Sequence, residues 1–339
     1  MDPVLRIAVV IPAYKVCNHI IRVISQIGPE VTRIYVIDDA CPESSGELVE
    51  SICQDPRVMV IKNAKNQGVG AAVMRGYQAA IEEQIDIIVK IDGDGQMDPA
   101  LLLDFVGPIA MGEADYTKGN RFFDLENIRR MPLLRLCGNS VLSFMTKLSS
   151  GYWNLFDPTN GYTAIHREVA QHLPFKKISQ RYFFETDMLF RLNILNAVVM
   201  DIPIDAQYAD EKSNLKISKI MGEFLRKHLC NFAKRIFYNY YLRGMSLASI
   251  ELPIGVLMLL VGVFYGGAHW LHAARLGVAS PAGTVMLSAL LVILGMQFIL
   301  AFIGYDVASV PQRPLHKIRR SYVNYRNKLK QSRQNSVLS

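Results

Sequence analysis

Cysteine is scarce in this chain, and no two cysteines form a CxxC pair. The 339 residues contain five cysteines, which are far apart in the sequence: Cys17, Cys41, Cys53, Cys137 and Cys230. An odd and scattered set argues against a disulfide framework. It predicts reduced thiols in a cytosolic domain.

Several nucleotide- and metal-binding motifs are also missing. The sequence has no GK[ST], which excludes a Walker-type P-loop. An EF-hand loop starting at Asp92 would need glycine at position 97 and glutamate at position 103, where Met97 and Leu103 stand.

The chain begins almost at once with a strand-like run, residues 6–12, without a basic leader and apolar core, so no signal peptide is expected.

Charge is absent from two long stretches near the C-terminus. No Asp, Glu, Lys or Arg occurs at 252–274 or at 276–305, and Arg275 alone separates them. Each stretch exceeds the roughly 20 residues that span a bilayer. The sequence therefore predicts two transmembrane helices, roughly 247–268 and 283–305, joined by a short hairpin. A buried helical hairpin in a large soluble core is the alternative.

Acidic residues are rare in the last third of the chain. Residues 1–211 carry 20 Lys/Arg and 27 Asp/Glu, a net charge of −7, whereas residues 212–339 carry 17 and 3, a net charge of +14. Eight basic residues precede the first predicted span, eight follow the second, and the loop holds only Arg275. This asymmetry predicts an integral membrane protein in which the domain that precedes the two spans is cytoplasmic, as are both termini. Because the charges flank apolar runs, they favour an anionic membrane surface over nucleic acid as partner.

A basic amphipathic helix is predicted at 215–237. Apolar residues recur there at helical spacing, and lysines and arginines occupy the other positions. Such a helix suits the membrane interface. A helix that packs on a neighbouring domain is the alternative.

The first two hundred residues alternate between strand-like and helix-like patterns. Short β-branched runs lie at 7–11, 35–38, 58–61 and 87–91, with helical candidates near 18–27, 44–53 and 70–84 between them. This alternation predicts an α/β fold with parallel strands and helices on both faces. The predicted domains are an α/β domain at 1–211, juxtamembrane helices at 212–246, two membrane helices at 247–310 and a basic cytoplasmic tail at 311–339.

Polar residues follow three of these runs. Asp92 and Asp94 end the fourth run, and side chains at i and i+2 of a strand point the same way. Two desolvated carboxylates repel unless a cation joins them, and oxygen ligands suit Mg²⁺ or Mn²⁺. Asp38 and Asp39 end the second run. Since ligands bind at the carboxyl ends of parallel strands, we expect one shared site; a solvated acidic turn is the alternative.

Gly68 and Gly70 open a predicted helix after the third run. Glycines there would let a nucleotide approach closely. As a dinucleotide fingerprint the pattern is weak, because Val73 takes the third glycine position. A plain helix start is the alternative.

Taken together, the motifs resemble family 2 glycosyltransferases, over about residues 5–215. The motifs that carry the resemblance occur in the order seen in that family: VVIPAY (9–14), VIDDA (36–40), DGDGQMDP (92–99), KGNRF (118–122), DPTNGYTA (157–164) and YFFETDML (182–189). The chain looks most like the polyprenyl-phosphate branch, which includes dolichol-phosphate mannose synthases. The resemblance implies a GT-A (Rossmann-like) catalytic domain. In this chain the amphipathic helix and membrane hairpin would follow it.

The resemblance also implies roles for particular residues. The residues that match nucleotide-binding positions are Pro12, Ala13, Tyr14, Asp38 and Asp39, with Gly68 and Gly70 as weaker candidates. Those that match the metal and diphosphate site are Asp92, Asp94 and Gln96. Arg121 and Arg135 match arginines that meet the acceptor phosphate, and Glu185 and Asp187 match the acidic pair near the acceptor. For Asp38 or Asp39, and for the acidic pair, a purely structural role in capping a helix is the alternative.

The implied function is transfer of one sugar, with inversion, from a nucleotide-diphosphate sugar (UDP- or GDP-linked) to a polyprenyl phosphate at the cytoplasmic face. Mg²⁺ or Mn²⁺ would be the cofactor, and the product would feed surface glycan or glycolipid assembly. Two alternatives stay open, a same-fold transferase with another lipid-linked glycan acceptor and a non-catalytic scaffold that binds nucleotide-sugars. A homo-oligomer is compatible with the sequence. A processive polymer synthase is disfavoured, because no QxxRW occurs.

Overall fold

The computed structural model describes residues 5–123, 133–204 and 217–318, of which 133–135 and 217–220 are described by their backbone alone. Internal contacts divide the chain into two compact units. One lies within Met1–Phe232 and Pro311–Ser339, and the other is Ala233–Val310. The domain boundaries predicted from the sequence stay predictions.

The first unit is built on a seven-stranded sheet. The strands are β1 (Ile7–Ala13), β2 (Val31–Asp38), β3 (Val58–Lys62), β4 (Ile87–Lys90), β5 (Tyr116–Asn120), β6 (Thr163–His166) and β7 (Val199–Pro203). Their order across the sheet is β3-β2-β1-β4-β6-β5-β7. Only β6 of these seven runs antiparallel to its neighbours, β4 and β5. This mixed sheet confirms the predicted α/β class, although parallel strands alone were expected.

Helices connect these strands. They are α1 (Ile20–Ser25), α2 (Ser45–Ile52), α3 (Val69–Glu82), α4 (Leu102–Ala110), α5 (Leu133–Ser150), α6 (Arg167–Ala170) and α7 (Phe184–Leu195), with 3₁₀ turns at Pro99–Leu101 and Phe175–Lys177. The central strands β1 and β4 are almost wholly buried because helices cover the sheet. Their β-branched runs therefore form one continuous core with α1 and α4. The predicted strands and helices are confirmed, with ends that differ by a few residues.

The strand directions bring the polar strand ends to one edge of the sheet. β1, β2 and β4 are mutually parallel, and β5 runs the same way because both β4 and β5 pair antiparallel with β6. The carboxyl ends of β1, β2, β4 and β5 thus share one edge with the amino end of β6. That edge is where α/β sheets bind ligands.

Helix α8 (Ile217–Ile236) follows and occupies the predicted amphipathic segment. One of its faces packs on the first unit, where Phe224 and His228 lie against Phe183 with ring centroids 5.3 and 5.0 Å apart. Another row of apolar side chains is exposed: Met221, Leu225 and Leu229. Docking onto the domain therefore uses one face, and an apolar face remains for the predicted contact with membrane.

The chain returns to the first unit after its second apolar helix. The buried carboxylate of Asp115, just before β5, accepts hydrogen bonds from the amides of Val198, Leu315 and His316, and its Oδ1 lies 2.6 Å from Nδ1 of His316. Burial alone would raise the pKa of Asp115, but these hydrogen bonds, led by the His316 ring, outweigh it and lower the pKa. The His316 ring also stacks on His166, at 4.2 Å between centroids.

The second unit contains a π-helical turn, Phe237–Arg243, and the helices α9 (Leu247–Leu276) and α10 (Ala282–Ala308). With 30 and 27 residues, both helices are long and apolar enough to cross a membrane. They are longer than the predicted 247–268 and 283–305. The first helix continues to Leu276, where Gly277 ends it, and the second begins at Ala282, directly after Pro281. A Cβ on Gly295 would lie 2.7 Å from the Leu259 amide, so glycine permits close packing of the pair.

A buried ion pair lies within the second unit. Arg235 donates from Nη1 and Nη2 to Oδ1 and Oδ2 of Asp306, at 2.6 and 2.9 Å, and the Tyr240 hydroxyl is 2.6 Å from Oδ1. Only 2% of the Arg235 side chain and 4% of the Asp306 side chain are exposed. The carboxylate therefore ties the end of α10 to α8 and to the π-helical turn.

Replacing Asp306 by alanine is expected to destabilise the protein by about 3–5 kcal/mol, because it leaves the Arg235 guanidinium buried without its counter-ion. The measurement is thermal unfolding of the purified protein in detergent micelles. The double variant Arg235→Met/Asp306→Leu, which removes both charges, should recover most of the loss. An Asp306→Ala protein as stable as the wild type would contradict the role of this pair.

Candidate functional site

Asp92 and Asp94 lie just beyond the carboxyl end of β4, and both are partly exposed. Asp94 Oδ1 accepts a hydrogen bond from the Gln96 amide (3.0 Å), which turns the chain back after the second carboxylate. Asp92 Oδ1 lies 2.8 Å from Nζ of Lys90. The strand end therefore presents the two predicted metal ligands on one short turn.

Lys90 is a buried cation directly beneath this turn. Its side chain is 2% exposed, and its Nζ lies 3.8 Å from Oε1 of Glu185 as well as 2.8 Å from Asp92. Burial would lower the pKa of Lys90, but Asp92 and Glu185 outweigh it and raise the pKa. The lysine thus stays charged and holds both carboxylates at the strand end.

A second buried lysine, Lys118, lies on β5. Its Nζ donates to the carbonyl oxygen of Asn160. Burial lowers the pKa of Lys118 to about 8, although Asp157 and Glu185 act in the opposite direction. Burial likewise raises the pKa of Glu185, against the attraction of Lys90 and Lys118. The site therefore rests on a layer of alternating buried charges.

Residues 157–161, which we call the 157–161 segment, connect these groups along the amino end of β6. Asp157 is wholly buried and holds Arg121, whose Nε and Nη2 donate to Oδ2 and Oδ1 at 2.8 and 3.1 Å. Burial would raise the pKa of Asp157, but Arg121 outweighs it and lowers the pKa. At its other end, Gly161 lies against Lys90 and Asp92. One short segment therefore joins the predicted acceptor arginine to the predicted metal turn.

Arg121 follows β5 at the same edge of the sheet. The buried carboxylate of Asp157 fixes its guanidinium from one side, and Nη2 also lies 3.3 Å from the Thr159 hydroxyl. About a third of the Arg121 side chain remains exposed. A guanidinium held in this way is oriented before any ligand arrives.

The predicted nucleotide-binding residues lie at the ends of β1 and β2. Pro12 and Ala13 complete β1, and Tyr14 follows with 44% of its surface exposed. Asp38 Oδ1 accepts from the Cys41 amide (2.7 Å) and Oδ2 from the Gly46 amide (2.6 Å). Both oxygens of Asp38 thus brace the turn that enters α2.

Asp39 braces the start of α3 in the same manner. It accepts from Asn63 Nδ2 (2.8 Å), the Gln67 amide (3.0 Å) and the Gly68 amide (2.7 Å). The structural role that the sequence left open for one aspartate is therefore seen for both. Their contact with a nucleotide stays a prediction.

Gly68 and Gly70 permit a close approach, but to protein. A Cβ on Gly68, whose φ is +100°, would lie 2.5 Å from the carbonyl oxygen of Gln180, and a Cβ on Gly70 would meet that of Ser179. The Gly70 amide donates to the Gln180 carbonyl (2.9 Å). Packing against residues 179–181 accounts for both glycines without a nucleotide, and their place in donor binding stays a prediction.

Asp187 has structural partners on both oxygens. Oδ2 accepts from the Ser179 amide (2.8 Å), and Oδ1 accepts from Nδ2 of Asn231 on α8 (3.0 Å). Only 4% of the residue is exposed. Of the predicted acidic pair, Glu185 is the member that reaches the charged layer, while Asp187 anchors α8 to α7.

The structure therefore brings together Asp92, Asp94, Gln96 and Arg121 at one edge and adds Lys90, Lys118 and Asp157. Arg135 lies on α5, and its side chain is outside the described residues. Lys90 went unnoticed in the sequence analysis. The available signal was a lysine inside the apolar run IIVKI, where an unpaired charge would be costly.

The residues present fit a divalent cation. No group of three or more His, Cys, Asp or Glu is arranged as a metal site within the described ranges, so Asp92 and Asp94 would need oxygens from a ligand such as a diphosphate. Gly161 leaves open the space beside Asp92 Oδ2, which a Cβ would approach to 2.7 Å. Asp92, Asp94 and Gln96 are the residues that would hold such a cation.

Gly161→Ala is expected to lower the affinity for a Mn²⁺–nucleotide diphosphate about ten- to a hundredfold. The added methyl would collide with Lys90 Nζ and Asp92 Oδ2, and overpacking costs about 1–3 kcal/mol. Isothermal titration calorimetry measures the loss. Gly138→Ala is the matched control, since its Cβ would meet nothing within 4 Å. Equal affinities for the two variants would show that the Lys90–Asp92 contact is dispensable.

Comparison with known proteins agrees with this geometry. Residues 8–173 match the family described as Glycosyl transferase family 2. By this match, residues 8–173 are a Glycosyl transferase family 2 domain. Its mixed sheet, with the charged site at the carboxyl ends of the central strands, is GT-A-like.

Similar proteins narrow the resemblance to one branch of the family. Polyprenol monophosphomannose synthase of Mycolicibacterium smegmatis is 26% identical over 238 residues, 68% of this chain and 87% of the relative. UDP-N-acetylglucosamine–dolichyl-phosphate N-acetylglucosaminyltransferase of Methanococcus voltae is 27% identical over 220 residues, 60% of this chain and 86% of the relative. The resemblance to the polyprenyl-phosphate branch is confirmed.

Among solved structures, glucosyl-3-phosphoglycerate synthase from Mycobacterium tuberculosis, in complex with Mn²⁺, UDP-glucose and phosphoglyceric acid, superimposes with a TM-score of 0.52. The two share 20% sequence identity, and the match covers 68% of this chain and 79% of the other. At that identity the likeness shows the fold alone. It supports the predicted GT-A architecture of the glycosyltransferase domain.

Proposed function

We propose that this glycosyltransferase moves one sugar from a nucleotide-diphosphate donor to a polyprenyl phosphate at the cytoplasmic membrane face, with inversion at the anomeric carbon. The 157–161 segment carries the proposal. It holds Arg121 through Asp157 and borders Asp92 through Gly161, so the arginine predicted to bind phosphate and the turn predicted to bind the metal lie on one edge of the sheet.

The donor would bind between the ends of β1, β2 and β4. Tyr14 offers an exposed ring for the base, and Asp38 and Asp39 border the position of the ribose. The name of the Methanococcus voltae relative includes UDP-N-acetylglucosamine, which supports a nucleotide-sugar donor here. The similar solved structure contains Mn²⁺ with UDP-glucose, which supports Mg²⁺ or Mn²⁺ as cofactor. When bound, the divalent ion would stabilise charge on the departing diphosphate, an effect worth several kcal/mol.

The acceptor would bind at Arg121. A polyprenyl phosphate is already anionic near neutral pH, so the attacking oxygen needs no strong general base. Arg121 would orient it by paired hydrogen bonds, opposite the leaving nucleotide. Lys90 would keep Asp92 in place, and Glu185 would remain a buried partner of Lys90 and Lys118 rather than a base.

The two apolar helices support a lipid acceptor. They would anchor the chain where a polyprenyl phosphate resides, and the basic residues that flank them favour cytoplasmic termini. A cysteine placed at Ser280 of a cysteine-free variant is expected to react with an impermeant maleimide on intact cells. A cysteine at Ser309, beyond the second helix, should react only after permeabilisation. The opposite pattern would contradict the proposed orientation.

Two other functions are weaker. A non-catalytic nucleotide-sugar scaffold would not need Arg121 fixed by a buried carboxylate. A same-fold transferase with another lipid-linked glycan acceptor would use the same donor site. Only the part of its acceptor site beyond Arg121 would differ.

The test is a donor panel. Purified full-length protein in detergent is incubated with Mg²⁺ or Mn²⁺, a short polyprenyl phosphate and each of several UDP- and GDP-sugars, and products are read by mass spectrometry. One donor should give a polyprenyl-phosphate sugar. Failure of every donor, with the nucleotide-sugar still binding, would favour the scaffold.

A further inference from the structure

Two thiols converge on one hydroxyl beside the proposed donor site. Cys17 Sγ lies 3.3 Å from Ser45 Oγ, and Cys41 Sγ lies 3.1 Å from the same atom. The two sulfur atoms are therefore no more than about 6.4 Å apart, although the two cysteines are 24 positions apart in the sequence. Ser45 is fully buried, whereas both cysteines are partly exposed.

The surroundings of Cys41 favour its thiolate. The Lys15 amide donates to Cys41 Sγ (3.1 Å), and the Ser45 hydroxyl approaches it from the other side. Burial would raise the pKa of Cys41, but these hydrogen bonds, led by the one from Ser45, outweigh it and lower the pKa. Cys17 has a different setting, since its S–H donates to the carbonyl oxygen of Glu43 (3.2 Å).

The two loops that carry the thiols are strained. Within the described residues, five non-glycine residues have a positive φ, and three of them flank this pair: Lys15 (59°), Ala40 (52°) and Ser44 (54°). Left-handed backbone is costly for residues with a Cβ and concentrates where function requires it. These loops therefore store strain that a local rearrangement would release.

The same loops carry the proposed nucleotide-binding residues. Tyr14 precedes Lys15, and Asp38 Oδ1 accepts from the Cys41 amide at 2.7 Å. A disulfide needs sulfur atoms about 2.05 Å apart, so its formation between these two free cysteines would draw the Cys17 and Cys41 loops together beside the Ser45 hydroxyl. That movement would disturb the Asp38 contact and displace Tyr14.

We propose that Cys17 and Cys41 form a peroxide-sensitive dithiol that closes to a disulfide and switches off nucleotide-sugar binding. Formation of the Cys17–Cys41 disulfide does not depend on the activity of the enzyme. Its effect on turnover rests on the proposed function.

The chemistry uses a hydroperoxide as oxidant. The Cys41 thiolate attacks the terminal oxygen of H₂O₂, the O–O bond breaks, and hydroxide leaves and takes a proton to become water. The Cys41 sulfenic acid is then attacked by the Cys17 sulfur, which forms the S–S bond and releases a second water. Two thiols lose two electrons in total, and one peroxide is reduced to two waters. A cellular dithiol would reverse the step by exchange.

The first experiment maps the thiols. Full-length protein in detergent is treated with a small excess of H₂O₂, free thiols are blocked with iodoacetamide, disulfides are reduced, and the released thiols are labelled with N-ethylmaleimide. We expect the second label on Cys17 and Cys41 alone. Cys53, which is also partly exposed, is the internal control and should carry iodoacetamide. A second label on Cys53, or a disulfide between two chains on a non-reducing gel, would overturn the pairing.

Single variants separate the two steps. In Cys17→Ser the reaction should stop at the Cys41 sulfenic acid, which dimedone traps as a stable adduct. In Cys41→Ser no disulfide should form at Cys17. If dimedone labels Cys17 in Cys41→Ser as fast as it labels Cys41 in Cys17→Ser, the assignment of Cys41 as the attacking thiol would be overturned.

Nucleotide binding tests the switch. Calorimetric titration uses UDP or GDP, whichever the reduced protein binds more tightly, together with Mn²⁺. It should show at least a tenfold loss of affinity in the oxidised protein, restored by dithiothreitol and absent in Cys41→Ser. Unchanged affinity in protein whose Cys17–Cys41 disulfide has been mapped would overturn the switch. Because mapping and titration need no acceptor, failure of polyprenyl-phosphate transfer would refute the proposed function and leave both tests of the dithiol standing.

Discussion

Asp94→Asn should reduce sugar transfer by about three orders of magnitude or more. The loss of one of two carboxylates on the β4 turn removes a charged ligand for the divalent ion, whose contribution is several kcal/mol, and each 1.4 kcal/mol is a factor of ten in rate. The Asp94 side chain is partly exposed at a turn, so the fold should be unaffected. Initial rates at saturating donor and acceptor measure the effect.

Asp104→Asn is the matched control, since Asp104 is an exposed aspartate on α4, outside the turn that carries Asp92 and Asp94. It should retain full activity. Excess EDTA should abolish transfer by the wild type, and added Mg²⁺ or Mn²⁺ should restore it. Normal turnover by Asp94→Asn, or by the wild type in EDTA, would show that sugar transfer does not depend on a divalent ion.

Arg121→Ala should lower kcat/KM for the polyprenyl phosphate by about one to two decades. The lost interaction is a charged hydrogen bond to phosphate, worth about 1.5–3 kcal/mol. Donor binding should survive, because the metal turn keeps its own partners, Lys90 and Gln96. The measurement combines lipid-dependent kinetics with calorimetry of the nucleotide-sugar.

Removal of Arg121 also leaves the Asp157 carboxylate buried without its guanidinium partner, so a second variant is needed. Arg121→Lys keeps a positive charge near Asp157 but loses the planar fork, and it should show an intermediate loss for lipid at wild-type stability. Arg75→Ala, an exposed arginine on α3, should behave as the wild type. Normal lipid kinetics in both Arg121 variants would mean that the acceptor phosphate binds elsewhere.

The local patterns in the sequence were enough to predict the central strands and the two apolar helices. Runs such as Ile87–Lys90 are buried on both faces, and composition alone distinguishes them from their surroundings. The antiparallel β6 was not predictable in this way, because its direction depends on pairing with β4 and β5 across long stretches of chain. The contact of His316 with Asp115 spans 201 residues and has no local signal at all.

The site was only partly predictable, because sequence motifs reveal residues that are neighbours along the chain but not contacts between distant segments. Asp92 and Asp94 are neighbours in a motif, whereas the partners that position the site come from distant segments. The burial of the charged Lys90 side chain is explained by its contacts with Glu185 and Gly161, which lie far from it in the sequence. Asp187 shows the converse, since a motif position that suggested chemistry has two structural partners.

The acceptor in the proposed reaction is a lipid phosphate. The most direct measurement compares three acceptors with the preferred donor and metal: a short polyprenyl phosphate, the matching polyprenol without phosphate, and a soluble phosphorylated acid such as 3-phosphoglycerate. We expect a product with polyprenyl phosphate alone, with an anomeric configuration by NMR opposite to that of the donor. Equal or faster transfer to the polyprenol or to the soluble acid, or retention of configuration, would contradict it.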